Sequence, residues 1–110
     1  MPTYLQQVSY TPEAWKALVQ NPQNRLDAVR PAIERLGGKI VTGWFAFGDY
    51  DSVLITEFPT NVEAAAIAVA FAAGGGCKNV KTTPLLSAEE AVLAIKKAAG
   101  TGYRSATAAS

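Results

Sequence analysis

The segment that most constrains this chain is Lys39 to Phe47, Lys-Ile-Val-Thr-Gly-Trp-Phe-Ala-Phe. Its β-branched and aromatic content predicts a strand. Strict alternation puts Val41, Gly43, Phe45 and Phe47 on one face and Ile40, Thr42, Trp44 and Ala46 on the other. Both faces are largely apolar, so each needs a cover. Gly48-Asp49-Tyr50-Asp51 follows as a predicted tight turn, with Gly48 supplying φ freedom, and Ser52 to Phe58 returns as a second strand of a hairpin. The rest of the chain has to supply the layers that bury it.

Those layers are marked by helix signals. Thr3 to Tyr10 predicts a strand with Leu5 on one face and Tyr4, Val8 and Tyr10 on the other, Gln6 sharing the tyrosine row. Thr11-Pro12-Glu13 opens a helix through an N-cap hydroxyl, a proline at the first helical position and an acid in the first turn. Asn21-Pro22 interrupts it, and Leu26, Val29, Ile33 and Leu36 resume as one apolar stripe. Pro31 predicts a kink near residues 27–30, and Gly37-Gly38 a left-handed cap. Thr60-x-x-Glu63 predicts a capped, Ala-rich helix from Asn61 to Ala73, ended by Gly74-Gly75-Gly76. Lys78 to Leu86 reads as a fourth strand, and Ser87-x-x-Glu90 caps a last helix. The order β-α-β-β-α-β plus a terminal helix is the split-βαβ arrangement, an α+β ferredoxin-like fold with a four-stranded antiparallel sheet. Residues 1–99 read as one domain, and residues 100–110 as a flexible tail without periodicity.

Right-handed crossovers place both crossover helices on one side of such a sheet. The other side is left bare, with Trp44 or Phe45 on it. Hydrophobic residues make up 49% of the chain and charged ones only 17%, an apolar balance for 110 residues. An exposed apolar sheet face of that kind marks an interaction surface. The expected partner is a second copy, sheet against sheet.

Composition also narrows function. Ten Lys/Arg against nine Asp/Glu give a net charge of +1, with neither sign clustered. No basic stripe for nucleic acid or an anionic membrane surface results. The longest apolar run, residues 64–77, is 14 residues long, short of the roughly 20 a spanning helix needs. One cysteine excludes an internal disulfide and fits the cytoplasm. The chain contains no histidine. Ser–His and Cys–His pairs are therefore excluded, and neither a metal site nor a cofactor is expected.

Several short motifs belong together: the opening Pro2-Thr3-Tyr4, Leu36-Gly37-Gly38-Lys39 before the aromatic strand, and Gly48-Asp49-Tyr50-Asp51 after it. With Glu57-Phe58-Pro59 and the Ala-rich helix running into Asn79-Val80-Lys81-Thr82, they resemble the small bacterial GYD-domain proteins over residues 2–97. The resemblance implies a dimeric α/β-barrel type of fold and carries no agreed catalytic residues. Pro31 and the triple glycine depart from the pattern.

Candidate chemistry is sparse. Asp49 and Asp51 flank the Tyr50 phenol and could place a base and a donor at a pocket mouth; equally, these are turn residues. If the tyrosine row faced a barrel interior, Tyr4, Gln6 and Trp44 could orient a small ligand, with Tyr50 and Asp51 beside them. The leading expectation is a non-catalytic, homo-oligomeric domain that binds a small molecule or regulates. The alternative is a cofactor-free monooxygenase or isomerase acting on an aromatic or quinone-like substrate. Gly74 to Gly76 precede a strand and not a helix, the wrong context for a phosphate cradle. Cys77 reads as a core or strand-edge residue, and Arg25, Arg30 and Arg35 as solvated helix positions.

Overall fold

The computed structural model describes residues 1–107. Its elements are β1 (Thr3–Tyr10), α1 (Pro12–Gln20), α2 (Arg25–Arg35), β2 (Lys39–Phe45), β3 (Ser52–Glu57), α3 (Asn61–Ala73), β4 (Cys77–Leu85) and α4 (Ala88–Ala99). The four strands pair antiparallel in the order β2-β3-β1-β4, the expected α+β, ferredoxin-like arrangement.

Local chemistry accounts for the helix boundaries. The Thr11 hydroxyl accepts from Ala14 N (3.1 Å) and Pro12 opens α1. The Asn24 side chain caps α2 by accepting from Leu26 N (3.0 Å), and α2 continues through Pro31. Gly37, at φ +77°, turns the chain out of α2. Thr60 accepts from Val62 N and its hydroxyl donates to the Glu63 carboxylate, so the helix is capped there by these two bonds in place of the expected reciprocal box. Ser87 and Glu90 do form the full box. Of the tail expected from Gly100, residues 108–110 lie outside the described residues.

The core lies between the sheet and α2 and α3. Tyr4, Ile33, Leu54, Phe58, Ala64 and Ile67 fill it, flanked by Leu26, Val29, Leu36, Ile40 and Phe71. Two buried polar groups of β1 are satisfied within it. The Tyr4 hydroxyl donates to Asn61 Oδ1. The Gln6 side chain accepts from Thr56 Oγ1 (3.1 Å) and donates to Thr82 Oγ1 (3.4 Å), linking the three adjacent strands β3, β1 and β4.

The hairpin departs from expectation in two ways. β2 stops at Phe45, and residues 46–51 form a six-residue connection in place of a four-residue tight turn. Gly48 does not take a positive φ there, so φ freedom is not its role. The register of β2 on β3 also slips between Ile40 and Thr42, leaving Val41 as an extra residue. A bulge of this sort reverses the alternation. Ile40 consequently packs on the core, on the same side as Gly43, whose neighbours are Leu26 and Leu54. Thr42 and Trp44, opposite Ile55 and Val53, face the other way.

That other face has no cover among the described residues. Leu5, Val53 and Ile55 lie at its centre and Trp44, 69% exposed, at its side, with Lys39 paired to Glu57 (3.3 Å) at one end. α4 does not roof it: it has no buried residue, and Val92, Leu93 and Ile95 are exposed. The molecule is correspondingly drawn out, 62 × 31 × 22 Å with a radius of gyration of 17.8 Å. A compact chain of this length would have about 13 Å.

Two glycines separate packing from turn chemistry. A Cβ on Gly38 would lie 2.5 Å from the Phe58 ring and 2.8 Å from the Glu57 carbonyl, whereas one on Gly48 would meet nothing within 4 Å. Gly38→Ala is expected to lower the unfolding free energy by about 1–3 kcal/mol and Gly48→Ala to change it by less than about 0.5 kcal/mol. Urea denaturation of the two variants measures both.

Candidate functional site

A mostly apolar hollow opens where the ends of three strands meet α1, α2 and the Phe71 end of α3. Tyr10 closes β1, Ser52 begins β3 and Cys77 begins β4, with Tyr10 and Cys77 directly paired. The register shift at Ser9/Tyr10 lets both of those side chains be buried. α1 contributes Ala14, Ala17 and Leu18, and α2 contributes Arg25, Leu26 and Val29. An inner hollow of about 50 Å³ reaches down to Val8, Ser52, Leu54 and Phe71. An adjoining outer one of about 180 Å³ runs beneath α1. Tyr10, Arg25 and Cys77 line both.

Each of these side chains is positioned by identifiable contacts. The Tyr10 ring packs edge-on against Trp15 (5.2 Å between centroids), and its hydroxyl shares a hydrogen bond with Ser52 Oγ. Arg25 is the first residue of α2 and donates through Nη1 to Gln23 Oε1 (3.0 Å). Cys77 follows the Gly74–Gly76 turn, which is tied to the start of α1 by Thr11 N donating to the Gly76 carbonyl (2.9 Å).

Burial dominates the electrostatics. It pushes the Tyr10 phenol above its ordinary pKa, against the lowering effects of the Ser52 hydrogen bond and the Arg25 charge. It also pushes the Cys77 thiol up, again opposed by Arg25. Both groups are therefore protonated at neutral pH, one as a hydrogen-bond donor and the other as an inert thiol. The cleft is an apolar slot with one fixed cation and a pair of hydroxyls. Among the described residues no cluster of cysteine and carboxylate groups could hold a metal ion, and no helix is long and apolar enough to cross a membrane.

The residues singled out from the sequence are distributed otherwise. Tyr4 and Gln6 lie under the helices, in the same inward row as Val8 and Tyr10, and both are held by the core hydrogen bonds described above. Trp44 points from the opposite face of the sheet, so Tyr4, Gln6 and Trp44 do not share a cavity. Tyr50 is half-buried in the 46–51 connection. Asp51 pins that connection to β1: its carboxylate accepts from Tyr10 N (2.8 Å) and its own N–H donates to the Val8 carbonyl (2.8 Å). Ser9 Oγ adds a bond to the Asp49 carbonyl (2.7 Å). Asp49 and Asp51 do meet on the rim of a shallow hollow with Gly48, Trp15 and Lys78. Gly48 to Asp51 thus form a strapped connection beside the cleft.

Sequence reasoning missed Arg25, Ser52 and Cys77 as members of one site. The signal for Tyr10 was present in its inward row. The others are united by a strand pairing and by a helix start, neither of which has a local pattern.

A family model described as the GYD domain matches residues 4–95. Neither the curated proteins nor the solved structures give a match.

The raised phenol has a consequence for stability. Its folded pKa lies above its unfolded value, so its contribution is intact below about pH 10 and is lost as pH rises through the folded value. Between those limits the native state holds the extra proton. The unfolding free energy of the wild type is expected to fall more steeply above pH 10 than that of Tyr10→Phe, measured by urea titration at stepped pH.

Proposed function

This chain belongs to the GYD-domain family, and we propose that it is a non-catalytic module that binds a small molecule in the Tyr10–Arg25 cleft and acts as a homo-oligomer. The observation that carries the binding reading is the cleft's make-up: apolar walls around a few convergent polar groups, the pattern of a ligand site. A cofactor-free oxygenase or isomerase would use the same cleft, with the Tyr10 phenol as a proton donor. Burial that keeps both Tyr10 and Cys77 protonated favours holding a ligand over base or nucleophile chemistry. The single cysteine, free in the fold, fits a bacterial cytoplasm.

Self-association is supported by two uncovered apolar surfaces on one chain. One is the outer sheet face of Leu5, Val53, Ile55 and Trp44. The other is the α4 stripe of Ala88, Ala91, Val92, Ile95 and Ala99, which share one side of that helix at spacings of three and four. A 12-residue helix is marginal in water without packing. A second copy would cover both surfaces, the sheets packing about 10 Å apart.

Two measurements test these readings. Native mass spectrometry of protein from its own cells is expected to show a mass of two or more chains with a retained small molecule. Light scattering is expected to show Trp44→Glu shifted towards monomer by at least tenfold in dissociation constant. A wild-type monomer at micromolar concentration would remove the assembly reading.

A further inference from the structure

The chemistry of the cleft narrows what it would hold. Arg25 is half-buried at the point where the inner and outer hollows adjoin. No carboxylate of the described residues forms an ion pair with it, and no acidic side chain lines either hollow. Asp51, which acts electrostatically on Tyr10, lines neither, and its carboxylate is engaged by Tyr10 N. One Nη1 N–H of this guanidinium donates to Gln23 Oε1 at the exposed rim of the outer hollow (3.0 Å). The guanidinium carries further donors beside the apolar walls, where a charge-assisted pair with an anion is stronger than in open water.

The hydroxyl pair adds a second donor. Tyr10 and Ser52 carry two hydroxyl protons, and their mutual bond uses only one. Whichever hydroxyl accepts in that bond keeps a proton to donate elsewhere. Both residues are more than nine-tenths buried, at 9% and 4% exposure, and both line the inner hollow. The free hydroxyl proton and the Arg25 fork together suit a planar monoanion. One cation and one hydroxyl are too few donors for a phosphate dianion. Leu26, Val29 and Phe71 in turn call for an apolar body.

Resting on the small-molecule reading above, we propose that the cleft takes a small carboxylic acid with an apolar or aromatic body, its carboxylate held by Arg25 and by the Tyr10–Ser52 hydroxyl pair.

Benzoate and its neutral isostere benzamide are the probes, titrated by calorimetry against wild type, Arg25→Gln and Tyr10→Phe, with each variant's fold checked by circular dichroism. In wild type, benzoate is expected to bind at least tenfold more tightly than benzamide. Arg25→Gln should weaken benzoate at least tenfold and leave benzamide within twofold. Tyr10→Phe, which keeps the guanidinium, should weaken benzoate about threefold. Equal binding of the two probes, or benzoate binding indifferent to Arg25→Gln, would overturn the carboxylate assignment while leaving the cleft a ligand site. Failure of both probes to bind at 10 mM would overturn the assignment, while the small-molecule reading stands or falls on the retained mass in the native spectrum.

Discussion

The buried amide of Gln6 is the interaction on which the rest of this structure depends. β1 is a central strand, and Gln6 sits at its middle with no exposure to solvent. It is satisfied because Thr82 stands directly opposite it on β4 and Thr56 stands diagonally from it on β3, two residues along from its partner Leu54. A one-residue slip of β1 against either neighbour would turn Gln6 outward and bring Leu5 or Gln7 inward. It would also strand the two threonine hydroxyls, and a buried polar group without a partner costs about 1–3 kcal/mol. The bonds themselves contribute modestly. Their larger effect is to make one register far better than its alternatives.

With that register fixed, the two sides of β1 take different tasks. The inward row of Tyr4, Gln6, Val8 and Tyr10 begins in the hydrophobic core and ends in the cleft. The outward row of Thr3, Leu5 and Gln7 belongs to the sheet's uncovered face. The Gly48–Asp51 connection is anchored to the same strand through Val8, Ser9 and Tyr10. Asp51 therefore orders the backbone next to the cleft without entering it.

The contrast between what was legible in the sequence and what was not follows from the range of the interactions. Thr11, Gly37, Thr60 and Ser87 act on backbone groups within a few residues, so those helix ends could be placed from local signals, whereas the Asn24 cap of α2 went unread. The alternation of Tyr4 to Tyr10 placed those residues in one row, but which side of the sheet the row faces is set by where the helices pack. Ile40 could not be placed, because the bulge at Val41 depends on how β2 meets β3 and leaves no mark in the alternation. The cleft escaped for the same reason. Tyr10 and Cys77 are neighbours only through the β1–β4 ladder, and Arg25 joins them only because α2 starts over that end of the sheet. Arg25 in isolation has the composition of any solvated helix residue.

The α4 helix carried outside the main body also shapes how the chain moves through solution. A particle 62 Å long and 22 Å across meets more friction than a sphere of the same 11.6 kDa. A single chain with this outline would travel through a sieving column as though it were heavier than it is. Two copies that fold the helix into a shared body would instead run close to their true combined mass. Elution position alone would therefore confuse one extended chain with a compact pair, and only a measurement of mass tells them apart.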